Sequence, residues 1–221
     1  MVEVLVALTI MAVMAMMTWR GIDGMARAQD STRRYTDDVL ALQAGLSQWR
    51  ADLDAMMVWP VTEGSAPNTS SATQRSVSWD GRLMRITRMS AGDPAAGLRV
   101  VAWTRRTDGQ WLRWQSAPFI SQSAWQAAWE SANVWSQVGT EQTGTPNGPQ
   151  AVRVANASEW QLHYFRNNAW TNPLSSGAES GTAVDLLPDG IRLMITLAPG
   201  QAINGPMVID WVRPNFGGTS Q

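Results

Sequence analysis

The residues of this chain best able to do chemistry are few, and their spacing argues against catalysis. The single histidine, His163, stands in an alternating stretch beside Tyr164 and Phe165. A Ser-His-Asp site needs an imidazole flanked by a nucleophile and a carboxylate. The pattern supplies neither, so a strand histidine making a structural hydrogen bond is the better reading. With one histidine and no cysteine, a zinc site lacks its ligands, and neither a disulfide nor a thiol nucleophile can form. Asp185 and Asp189 flank Leu186-Leu187-Pro188. Calcium takes about six to eight oxygens, and two carboxylates in a turn read as solvated. Arg82, Arg85 and Arg88 recur along a strand pattern in a chain of net charge −1. They read as a solvated sheet face, not as a nucleic-acid contact. No Walker or dinucleotide-binding glycine motif is present. The expectation is a chain that is not an enzyme, needs no cofactor or metal and binds no nucleic acid.

The acidic residue that stands out is Glu3. It precedes a run from Val4 to Met17 that is apolar except for Thr9, and no other charge appears before Arg20. A carboxylate just inside such a run is costly in lipid without a partner. Glu3 either stays wet at headgroup level or pairs with a positive group on a neighbouring subunit. The run gives about 17 helical positions, roughly 26 Å, a little short of the about 20 residues of a full span.

Past Trp19 the period changes without a break. Tyr35, Val39, Leu42, Leu46, Trp49, Leu53 and Met56 recur at steps of four and three, which predicts one apolar stripe packing onto the chain's own sheet. Arg33, Asp37, Asp38, Gln48, Arg50, Asp52 and Asp54 are expected on the other faces. Gly21, Gly24 and Gly45 weaken the helix without stopping it, and no proline comes before Pro60. One helix is therefore expected to about Trp59, roughly 85–90 Å long. Residues 1–18 suit a membrane and 19–59 form an amphipathic continuation. No basic region precedes the apolar run and no small-residue cleavage site follows it, which argues against a secretory signal peptide.

Residues 60–221 read as a β-rich domain. After a loop at 60–74, alternating runs at 75–79 and 82–88 flank Asp80-Gly81, a strong hairpin signal. A second copy runs from Leu98 to Arg105, turns at Asp108-Gly109 and returns through Gln115. Residues 121–137 predict a short helix with Trp125, Trp129 and Ala132 on one face, and a Gly-, Thr- and Pro-rich loop follows at 139–149. Strands are expected at 159–166, 169–171, 191–197 and 207–212, with turns at Asn167-Asn168 and Pro199-Gly200 and a loop over 171–181. The fold class is α+β, with one long N-terminal helix packed on an antiparallel sheet built from hairpins. The 13 tryptophans are spread from Trp19 to Trp211, which reads first as core packing. Trp125 and Trp129 are candidates for partner contacts.

Met1-Val2-Glu3-Val4-Leu5-Val6-Ala7-Leu8 resembles the start of a type IV pilin or pseudopilin. The family's basic leader, cleavage glycine and phenylalanine do not precede it, so either the start codon is assigned late or the chain was trimmed. Glu3 aligns with the family's glutamate, which implies that it neutralises the terminal amine of an adjacent subunit during assembly. Trp19-Arg20-Gly21-Ile22-Asp23, Leu42-Gln43-Ala44 with Trp49-Arg50-Ala51-Asp52-Leu53, the hairpin Leu98 to Arg113, and Trp160 to Phe165 with Trp170 and Leu187 to Leu193 resemble, in order, the J-type minor pseudopilin of the type II secretion system. The segment 121–137 matches nothing in that family. The resemblance implies a pilin-like, single-pass inner-membrane protein with its C-terminal domain in the periplasm. It implies a place at the pseudopilus tip with the I-type and K-type minor pseudopilins, the H-type nearby, and a prepilin peptidase acting on the full-length precursor. Two alternatives stay open: a minor pilin of a type IV pilus, and a membrane-anchored periplasmic module binding a ligand on its aromatic sheet face.

Overall fold

The computed structural model describes residues 2–57, 76–90, 97–138, 150–175 and 187–214. Helix α1 (Val2–Asp54) is followed by β1 (Val77–Trp79), β2 (Leu83–Met89), β3 (Leu98–Arg105) and β4 (Gln110–Gln115). Then come α2 (Gln122–Val138), β5 (Gln150–Arg166), β6 (Ala169–Thr171), β7 (Gly190–Leu197) and β8 (Gly205–Val212). The strands form one antiparallel sheet in the order β1-β2-β3-β4-β5-β7-β8, with β6 paired to the end of β5. This is a pilin-like α+β fold.

The hairpin chemistry explains the meander. Asp80 Oδ1 accepts from the backbone N–H of Arg82 at 2.9 Å and of Leu83 at 2.7 Å, while Gly81 takes φ +92°. Asn167 and Asn168 both have positive φ, the geometry of a two-residue turn whose twist matches its strands.

Strand alternation builds two cores. Met84, Ile86, Val101, Trp103 and Trp111 face α1, whereas Leu83, Val100, Ala102, Leu112 and Trp114 face α2. Trp49, Trp103, Trp111, Trp160 and Trp79 form a run of ring contacts through the first core, with centroids 4.6–6.5 Å apart. α1 crosses at Gly45, where a Cβ would come within 3.1 Å of Val154 Cβ and closer still to Val154 Cγ1.

Three expectations need correction. The helix ends at Asp54, short of Trp59, because the chain then joins the sheet. Met56 forms a bridge with Arg88, and Met57 N–H donates to the Thr87 carbonyl at 3.0 Å. Met56 thus packs on the core from beside β2 rather than from the helix stripe. β5 begins at Gln150, not at 159; its first half carries small alanines, and a bulge at Ala157/Glu159 breaks the alternation. Arg85 and Arg88 do not share a solvated face. Three residues apart on a strand, they point to opposite sides: Arg85 lies 4.8 Å over the Trp129 ring and Arg88 is buried against α1. The loops expected at 60–74 and 139–149, with Trp59, Arg75, Asp185 and the later part of 171–181, lie outside the described residues.

Candidate functional site

The unpartnered part of α1 is the first candidate. Every described residue from Val2 to Asp38 is exposed. This stretch holds a segment long and apolar enough to cross a membrane, with mean hydropathy 2.0 and none of it buried. Glu3 sits in the first turn, exposed, where the positive end of the helix dipole favours a carboxylate.

The helix meets the domain at Asp38 and Val39 and holds it through its last four turns. Leu42, Trp49 and Leu53 are buried, and Val39 and Leu46 are half-buried, Leu46 packed against the core. Tyr35, placed on the same stripe by its spacing, is 57% exposed, because α1 has run beyond the sheet at that level.

Three aspartates complete the joint; Asp38 and Asp54 stay exposed, as expected from the sequence, and Asp52 does not. Asp38 Oδ2 accepts from Ala202 N–H at 3.2 Å in the β7–β8 turn, and Asp54 Oδ1 accepts from Trp211 Nε1 at 2.7 Å on β8. Asp52 is fully buried. Its carboxylate accepts from Arg113 Nε and Nη2, each at 2.8 Å, from Trp103 Nε1 at 2.9 Å, from Gln48 Nε2 at 2.9 Å and from Arg88 Nη1. One residue of α1 is thereby bound to β2, β3 and β4. A buried carboxylate survives only when paired and hydrogen-bonded, and this one is saturated on both oxygens. With its oxygens occupied and no route to solvent, it is a joint rather than a catalytic base. Nearby, Arg99 donates to Ser90 Oγ and to the Ser116 carbonyl, both at 2.9 Å. Burial, then the charges of Arg88 and Arg113, lower its pKa.

Sequence spacing did carry a signal for Asp52. It falls three residues after Trp49 and seven after Gly45, on the packing face, and arginines recur at inward positions of β2 and β4. The candidate partner contacts lie elsewhere. Trp125 is 2% exposed, its Nε1 donating to Thr87 Oγ1 at 2.8 Å, and Trp129 is half-buried with its ring 5.1 Å from that of Trp125. The apolar face of α2 is used internally, against β2 and β3, so Trp125 is not offered to a partner. His163 lies across from Arg192 on β7, and its buried Nδ1 has no hydrogen-bond partner among the described residues. Among the described residues no group of His, Asp and Glu could hold a metal ion.

No protein-family model and no curated protein matches the chain. Its fold is similar to that of a chain in the crystal structure of the GspK–GspI–GspJ complex from the type 2 secretion system of enterotoxigenic Escherichia coli. The TM-score is 0.50 at 16% sequence identity, over 80% of this chain and 98% of that one. The likeness is one of fold.

Proposed function

We propose that this chain is a structural subunit, a J-type minor pseudopilin of the type II secretion system. The observation that carries the reading is α1 itself. Its first 37 described residues, Val2 to Asp38, are all exposed, with Asp38 reaching the β7–β8 turn, while its last turns are locked to the sheet through Asp52. A helix built this way holds a domain to an assembly. The fold likeness to a chain of the GspK–GspI–GspJ complex supports the same reading.

In this account residues 1–18 park the subunit in the bacterial inner membrane, with the domain in the periplasm. Processing of the full-length precursor by a prepilin peptidase precedes assembly. The helix then packs beside those of the I-type and K-type minor pseudopilins at the pseudopilus tip, with the H-type nearby, and Glu3 compensates a neighbour's terminal amine. No catalytic step is required of the domain.

A strain of the source organism lacking the gene tests this, with export of extracellular enzymes and twitching motility scored side by side. Lost export with intact twitching is the expected result. Lost twitching with intact export would make the chain a pilus subunit instead.

A further inference from the structure

Where α1 joins the domain, one of its faces is used against the sheet and an adjoining face borders an open groove. This groove, about 420 Å³, lies between α1 and β8. Leu42, Leu46, Met207 and Ile209 form its apolar lining, Val39 stands at the end nearer the apolar segment, and Arg50 at the far end is the one charged residue in the lining. Arg50 makes no ion pair among the described residues.

Toward the N-terminus the same face continues without charge. Gly21, Met25, Ala28, Thr32 and Tyr35 precede Val39 at steps of four and three, the repeat of one helix face. The first five are exposed, and a Cβ added at Gly21 or Gly24 would meet no described residue within 4 Å. Arg20, Asp23, Arg27 and Arg34 fall on other sides of the helix. The result is an uncharged strip running from the membrane-length apolar segment into the groove.

We propose that this strip and groove together seat one amphipathic helix of a different membrane-anchored subunit, running parallel to α1. The inference rests on the assembly reading above and adds the face used and the partner's character. Continuity calls for a helix that leaves the membrane beside α1, and one anchored at its N-terminal end, as α1 is in this account, then runs parallel to it. Charge fixes the partner's chemistry. Arg50 calls for a carboxylate at its level on the incoming helix. A second copy packed in parallel register would bring its own Arg50 to the same level, setting like charges against each other.

The chain has no cysteine, so single cysteines carrying a benzophenone photocrosslinker report on position. The full chain is labelled in cells of the source organism at Gln43→Cys or Ser47→Cys in the groove wall, at Met25→Cys on the strip, and at Ala41→Cys on a face away from both. Linked peptides are identified by mass spectrometry. The expected result is linkage from 43, 47 and 25 to the segment just after the apolar run of another chain, with none from 41. Arg50→Glu is expected to reduce the yield at 47 several-fold and Arg50→Lys to preserve it. Linkage from 25 alone would overturn the groove while leaving the assembly reading standing. Linkage from 43 and 47 to a second copy, or to a chain without an apolar run, would overturn the proposed partner. Linkage from no position would remove the assembly reading as well.

Discussion

Arg113 grips Asp52 with two parallel hydrogen bonds, Nε to Oδ2 and Nη2 to Oδ1, each 2.8 Å long, across 61 residues of sequence. The pair joins the last turn of α1 to β4 in a buried site. Removing one partner strands the others: Asp52→Ala takes the acceptor from Arg88 Nη1, from Arg113 Nε and Nη2 and from Trp103 Nε1. The expected cost is about 3–5 kcal/mol, read as a lowered urea midpoint by tryptophan fluorescence of the full chain in detergent. Arg113→Lys keeps the charge but loses the planar fork, so it falls between wild type and Asp52→Ala.

The crossing of α1 over β5 yields a second prediction. Alanine is favoured over glycine in a helix interior by about 1 kcal/mol, yet Gly45→Ala is expected to destabilise. Its Cβ would collide with the Val154 side chain, and overpacking costs about 1–3 kcal/mol. In a Val154→Ala background the same change becomes neutral or stabilising. A double-mutant cycle on urea midpoints measures the coupling, expected at about 1–2 kcal/mol. Additive effects would mean that the two positions do not touch.

Tyr164 gives a prediction at alkaline pH. Its hydroxyl is buried without a partner among the described residues, and burial pushes its pKa well above the ordinary tyrosine value, with the Arg166 charge pulling the other way. The folded state therefore holds this proton more tightly than the unfolded chain, whose tyrosines ionise at about pH 10. The contribution is complete below that pH and is lost as pH rises toward the folded value. Tyr164→Phe removes an unsatisfied buried hydroxyl, so a gain of about 1 kcal/mol at neutral pH and a flatter stability profile above pH 10 are expected. Denaturant curves across pH 7–11 check both.

Arg192 and Asp210 make the opposite case. They share two 2.7 Å hydrogen bonds on the outer face of β7 and β8, and the hydrogen bond from Arg192 holds the Asp210 carboxyl below its usual range. That contribution exists above the unfolded carboxylate pKa, about 3.9, and is lost as pH falls through the lower folded value. Both side chains remain substantially exposed, and solvent screens such pairs. Asp210→Asn is expected to leave the urea midpoint at neutral pH within experimental scatter.

What could be read in the sequence is what local patterns encode. The step of four and three from Val39 to Leu53 placed the packing stripe, and Asp80-Gly81, Asp108-Gly109 and Asn167-Asn168 placed the hairpins, because helix period and turn chemistry are short-range properties. The joint was hidden because its partners are distant. Arg88 stands 36 residues from Asp52 and Arg113 stands 61 away, and a lone aspartate among polar neighbours looks solvated until the sheet is assembled. Trp125 misled in the other direction. An amphipathic helix signals that a face is buried, without saying whether its own sheet or another subunit covers it.

Complementation of the deletion strain tests the central claim most directly, with export as the readout. One allele supplies the full chain and the other supplies only the domain with residues 39–54 of α1, delivered to the periplasm by a cleavable signal. Function through helix-mediated assembly predicts rescue by the full chain and none by the shortened one, with both folded and present in equal amounts. Full rescue by the shortened chain would contradict it, and would place the activity in ligand binding by the domain.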